Sequence, residues 1–145
     1  MKHITTYTAL TIIVIFIGCV GPPDYDDGLL ENVPAVVNDN DYFSISVLGD
    51  KYTELNEWNL EIDVDIEDEI LTTLIIKDIS IRSSDSSYIY LVDDQGDTML
   101  DVGLFNDLVF TSQDSISLIG VPTKFIFNSD NFTGMIDYQI IKTSF

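Results

Sequence analysis

EWNLEIDVDIE, residues 57–67, states its geometry more plainly than any other part of the chain. Trp58, Leu60, Ile62, Val64 and Ile66 recur at every second position. Glu57, Asn59, Glu61, Asp63, Asp65 and Glu67 fill the positions between them. Successive side chains of an extended strand point to opposite faces, so this alternation predicts a half-buried strand with one apolar and one acidic face. A helix would scatter the same residues around its circumference.

Outward from this stretch the pattern repeats. Residues 42–48, 70–76, 79–81, 88–92, 98–104, 108–111, 115–119, 124–128 and 134–142 are strand candidates. Turn-forming pieces separate them, including Gly49-Asp50, residues 83–87, Asn106-Asp107 and residues 128–131. The run VDDQGDT, residues 92–98, reads as a hairpin turn in which Gly96 is free to take positive φ. Strands recurring every 8–12 residues or so predict an all-β fold: a single antiparallel β-sandwich of seven to nine strands, or a small barrel. GLLENV, residues 28–33, is a candidate short helix. No segment of helical length carries a 3.6-residue period.

The chain has 145 residues and is 46% hydrophobic, enough for one domain with its own core. Its 25 Asp and Glu against 6 Lys and Arg give a net charge of -19. All 25 acids lie after residue 18, whereas Lys2 lies before it. A surface so acidic repels phosphate backbones, which argues against nucleic acid as a partner.

The front end reads differently. Residues 1–3 carry Lys2, and an apolar run follows to Ile17, of the length of a secretory signal core. It is short for a membrane-spanning helix, which needs roughly 20 apolar residues. Phe16-Ile17-Gly18-Cys19 resembles the lipobox of bacterial lipoproteins, with Phe16 standing where leucine is usual. The resemblance covers the first ~20 residues. It implies cleavage between Gly18 and Cys19 and attachment of acyl chains, palmitate among them, to Cys19. Each buried methylene adds about 0.8 kcal/mol, so two or three chains make a durable membrane anchor.

That cysteine is the only one in the chain. Gly21-Pro22-Pro23 and Asp24, Asp26 and Asp27 then give an extended acidic spacer. The acidic cluster resembles the export signal of Bacteroidetes surface lipoproteins. In enterobacterial lipoproteins Asp after the cysteine marks inner-membrane retention; Val20 there implies the outer membrane. The expected organisation is a signal peptide over 1–18, a lipidated tether over 19–40 and a β-sandwich over 41–145, lipid-anchored in the cell envelope.

Function is constrained mainly by what the expected mature chain lacks. The only histidine is His3, inside the signal peptide, and Cys19 would be acylated. Serine–histidine and cysteine–histidine nucleophiles and histidine-ligated metals are thereby excluded. The chain is therefore read as a non-enzyme with no catalytic residues. Carboxylate chemistry is the alternative, since glycoside hydrolysis needs two acids. Glu61, Asp63 and Asp65 would share one strand face at steps of about 6.8 Å. A solvated acidic face that discourages edge pairing is the simpler reading of the same residues.

Asp93, Asp94 and Asp97, with the acid- and amide-rich residues 38–41 and 128–131, are candidate calcium loops, although none has the EF-hand spacing. No other cofactor is expected. Tyr88 and Tyr90 flank Ile89. If Ile89 and Leu91 face the core, both tyrosines face outward about 7 Å apart, a stacking platform for a glycan or a protein partner. The expectation is a non-enzymatic binding or assembly module; a structural surface protein assembling through its edge strands is the other alternative.

Overall fold

The structure is a computed structural model that describes residues 28–80, 82 and 85–143. The lipobox and the signal sequence lie outside the described residues. Nine strands form two antiparallel sheets: β1 (Ala35–Asp39), β2 (Tyr42–Tyr52), β3 (Leu55–Asn59), β4 (Glu69–Lys77), β5 (Tyr88–Asp93), β6 (Thr98–Gly103), β7 (Leu108–Ser115), β8 (Pro122–Asn128) and β9 (Phe132–Thr143). The five-stranded sheet has the order β1-β2-β9-β4-β7 and the four-stranded sheet the order β3-β8-β5-β6. The expected antiparallel β-sandwich is what the chain forms.

The pairing follows one rule. β2 pairs with β9, β3 with β8, β4 with β7, and β5 with β6. The arm β2–β5 is thus one long hairpin with the arm β6–β9, closed at the DDQGD turn. Asp93 Oδ1 accepts the amides of Gln95 at 2.9 Å and Asp97 at 2.8 Å, and Gly96 takes φ 87°. Rolled up, the hairpin brings β9 against β4 and β8 against β5. This is the double Greek key of a jelly roll, with β1 added at one edge.

Alternation explains why each strand buries one face. On β2, Phe43, Ile45 and Val47 are buried; on β4, Ile70, Leu74 and Ile76; on β9, Ile136, Tyr138 and Ile140. Ile89, Leu91, Phe125 and Phe127 answer them from the other sheet. Tyr138 stacks on Phe125 with ring centroids 4.6 Å apart, and Phe43 lies 5.4 Å from Phe125.

Five expectations need correction. The alternating stretch 57–67 is a ladder only to Asn59. Beyond it, Leu60 N donates to Thr123 O at 2.8 Å, and the chain then crosses to the other sheet. There Glu61 N donates to Asn38 Oδ1 at 2.9 Å and Asp63 N to Asn40 O at 2.7 Å. Ile62 stays buried beneath this crossing, so the period survives where the ladder does not, whereas Ile66 points to solvent.

Residues 115–119 are no strand: β7 runs through Ser115, and Ile116–Ile119 form a single helical turn, α1. The chain must change sheets here within a few residues, and Gly120, at φ 88°, lets it leave the turn. Residues 79 and 80 lie outside the strands. GLLENV is no helix either. Glu31 bridges Leu48, and the Asn32 side chain exchanges two hydrogen bonds with the Asp50 backbone at 2.8 and 3.0 Å. Sheet pairing also begins earlier than position 41, because Ala35–Asp39 lies in register along β2.

Candidate functional site

Tyr88 and Tyr90 stand on β5, whose alternate residues Ile89 and Leu91 are buried. Both tyrosines therefore share the outer face of the four-stranded sheet. Their ring centroids are 6.1 Å apart and the ring planes differ by 17°, so the two rings stack nearly parallel along the strand. Phe105, just beyond β6, extends the pair into a strip: its ring meets Tyr88 edge-on at 5.7 Å and 88°. Phe105 remains 40% exposed, which is high for so large an apolar ring.

Gly103 makes this placement available. It pairs with Tyr88 across the ladder, and a Cβ there would collide with the Phe105 ring. Sequence reasoning missed Phe105 because its place depends on the register of β6 on β5. The available clue was Gly103 two residues before an aromatic at a strand end.

Cross-strand register sets what borders the strip. Glu57, Ile126, Tyr90 and Asp101 lie in one row across β3, β8, β5 and β6. Leu55, Asn128, Tyr88 and Gly103 lie in the next. Asp101 is exposed, while Glu57 pairs with Lys124 at 3.2 Å. The surface therefore offers partly exposed aromatic rings with carboxylates and an amide beside them. Such a surface can stack on an apolar face and hydrogen-bond to hydroxyls at its rim.

A concavity opens between the two sheets on the side of β6 and β7. It measures about 260 Å³ and is lined by Thr72, Leu91, Met99, Leu100, Phe110 and Ser112, among others.

The remaining candidates are dispersed. Glu61, Asp63 and Asp65 are exposed on the crossing segment rather than on a ladder. Asp93 is nearly buried and holds the hairpin turn as described above. Among the described residues, no three Asp, Glu, His or Cys side chains are grouped so as to hold a metal ion, the Asp93, Asp94 and Asp97 loop included.

The clearest titration effect sits elsewhere. Asp68 accepts the Asp65 amide at 2.7 Å and pairs with Lys142 at 3.0 Å. The Asp65 amide first, and Lys142 second, hold its carboxyl below the usual carboxylate value. Lys142 is raised in turn, chiefly by its hydrogen bond to Asp68. This pair ties β9 to the crossing segment.

No family model matches the chain, and no curated protein matches it. Among solved structures, a chain of infectious bursal disease virus ("Structure of infectious bursal disease virus Gx strain") is similar at 14% identity and a TM-score of 0.31. The similarity covers 77% of this chain and 31% of the viral one, and it carries no argument about what this protein does.

Proposed function

We propose that this protein is a lipid-anchored binding module of a bacterial cell envelope. Cys19 anchors it, and the outer face of its four-stranded sheet engages a glycan without catalysis. The observation that supports binding is the row of half-buried Tyr88 and Tyr90 and exposed Phe105 on the outer face of the four-stranded sheet. A glycan suits it because a sugar ring offers flat C–H faces to aromatic rings and hydroxyls to Asp101 and Asn128. The acidic surface beside the strip favours a neutral or cationic polymer over an anionic one. Anchoring is supported by the Phe16-Ile17-Gly18-Cys19 motif and the spacer behind it.

Two measurements test this. Titration with a panel of envelope and host polysaccharides should show binding that Tyr88→Ala and Tyr90→Ala each weaken by about tenfold, corresponding to a lost stacking contact. Equal binding by the alanine variants would move the ligand elsewhere. Separately, cells fed labelled palmitate should label the wild-type chain and not Cys19→Ser. Label on the serine variant would remove the anchor from the reading.

A further inference from the structure

The sandwich has two unlike ends. At one, β2 connects to β3, β4 to β5, β6 to β7 and β8 to β9. The described chain enters there too: Asn32 N donates to Leu48 O at 2.7 Å, and the Asn32 side chain holds the Asp50 backbone. At the far end β1 connects to β2, β3 to β4, β5 to β6 and β7 to β8.

Apolar side chains are exposed around the entry end. Leu30 is 58% exposed, Val33 50% and Leu55 62%, and Phe105 and Leu108 are exposed as well. Leu30 and Val33 lie beside the end of β2, Leu55 starts β3, Phe105 stands between β6 and β7, and Leu108 starts β7. Among the described residues, Ile66 and Leu118 are the large apolar side chains exposed at the far end.

Charge divides the same way. The far connections with their flanking residues, 39–42, 59–69, 93–98 and 114–122, hold twelve of the 25 acids and no lysine or arginine. Lys142 reaches one of them, Asp68, from β9. The entry end carries seven acids but also Lys51, Lys77 and Arg82, three of the six bases in the chain. Lys51 and Arg82 are exposed. The domain is thus strongly acidic at one end and only mildly so at the other.

We infer that the entry end is a docking surface, and that its occupant is the lipid bilayer in which Cys19 is anchored; this rests on the anchored reading of Cys19 given above. Where the remaining chain ends identifies the occupant. Eight residues separate Cys19 from Gly28. Extended chain spans at most ~3.6 Å per residue, so Cys19 lies within about 30 Å of this rim. A lipidated Cys19 holds the entry end, and not the far one, beside the headgroups. Apolar side chains there gain by entering the interface, and Lys51 and Arg82 are attracted to anionic headgroups. The acids of the far end are repelled by the same headgroups, so charge and tether select one orientation. The Phe105 end of the aromatic strip then lies nearest the lipid, with Tyr90 farther out than Tyr88.

The full-length lipidated protein in vesicles of phosphatidylcholine and phosphatidylglycerol tests this. Cys19 is the only cysteine, and acylation blocks its thiol, so Leu55→Cys or Leu118→Cys supplies one site for a fluorophore. Flotation with the vesicles reports the anchor. Quenching by lipid spin-labelled at the headgroup reports docking. The Leu55 probe should lose most of its emission and the Leu118 probe should keep it. Adding Leu30→Glu and Leu108→Glu should restore the emission of the Leu55 probe, with flotation and the circular dichroism spectrum unchanged.

Protein that floats with the Leu55 probe unquenched, or with both probes quenched alike, overturns the docking and leaves the anchor standing. Quenching that survives both substitutions overturns it too, because the apolar rim would not be its cause. Protein that does not float overturns the anchored reading and the docking with it.

Discussion

Tyr138 stacks on Phe125 across the sandwich, with ring centroids 4.6 Å apart and planes 26° from parallel, yet its buried hydroxyl has no hydrogen-bond partner among the described residues. The ring is placed by packing and the oxygen is carried along with it. An unsatisfied buried hydroxyl costs about 1–3 kcal/mol. Tyr138→Phe keeps the ring and removes the oxygen, so it should stabilise the fold by about 1 kcal/mol and raise Tm by about 4 °C or more.

The same burial raises the Tyr138 pKa far above its ordinary value of 10.0. In the unfolded chain this phenol ionises near its ordinary value while in the folded chain it does not, so its stability is present below about pH 10 and lost above it. Tyr138→Phe should remove that part of the alkaline fall. Denaturation midpoints across the alkaline range measure both effects; a destabilised phenylalanine variant would show that the hydroxyl has a partner.

Gly49 lies under Phe132. A Cβ there would collide with the Phe132 ring and stand 2.9 Å from its carbonyl oxygen. Phe132 is buried, and a backbone oxygen cannot swing aside. Gly49→Ala should cost about 1–3 kcal/mol, as overpacked core sites do. Chemical denaturation should show a lower midpoint with an unchanged slope.

Asp68 and Lys142 give the acid limb. The folded carboxyl is held below its ordinary 3.8, so its contribution is present above about pH 4 and is lost as pH falls through the lower folded value. Asp68→Asn should lower Tm near neutral pH, and its curve should converge with wild type at the acid end. Parallel curves down to the lowest pH would mean that the pair adds nothing. Raising the salt concentration should shrink the difference only in part, because both side chains are mostly shielded from solvent.

Strand identity was legible where burial alternates cleanly: residues 42–48, 70–76 and 88–92 each bury every second side chain. The outward pair Tyr88 and Tyr90 followed from Ile89 and Leu91 by the same rule. The ends of elements were not legible, because tertiary pairing sets them. Residues 60–66 alternate as well as any strand, yet the chain must leave one sheet for the other there. SISLI alternates too, yet a sheet change within a few residues requires a turn. AVVND was hidden between Pro34 and the polar run that follows it, and only the length of β2 opposite it supplies a partner. Phe105 and the apolar rim at the entry end are matters of register and neighbourhood, which composition does not encode.

Gly103 and Phe105 give the sharpest probe of the aromatic strip, because it needs no knowledge of the ligand. Phe105 sits over Gly103 and edge-on to Tyr88, and its ring is partly exposed. An added methyl meets a side chain that can rotate away into solvent. Gly103→Ala should therefore cost about 1 kcal/mol or less, as tolerated surface changes do. The ring-current shifts that Phe105 imposes on Tyr88 should collapse, to the same values seen in Phe105→Ala, while the shifts between Tyr88 and Tyr90 persist. Any polysaccharide that binds the strip through all three rings should lose affinity equally in both variants. A Gly103→Ala protein with unaltered Tyr88 resonances would place Phe105 away from the strip and reduce the binding surface to the two tyrosines.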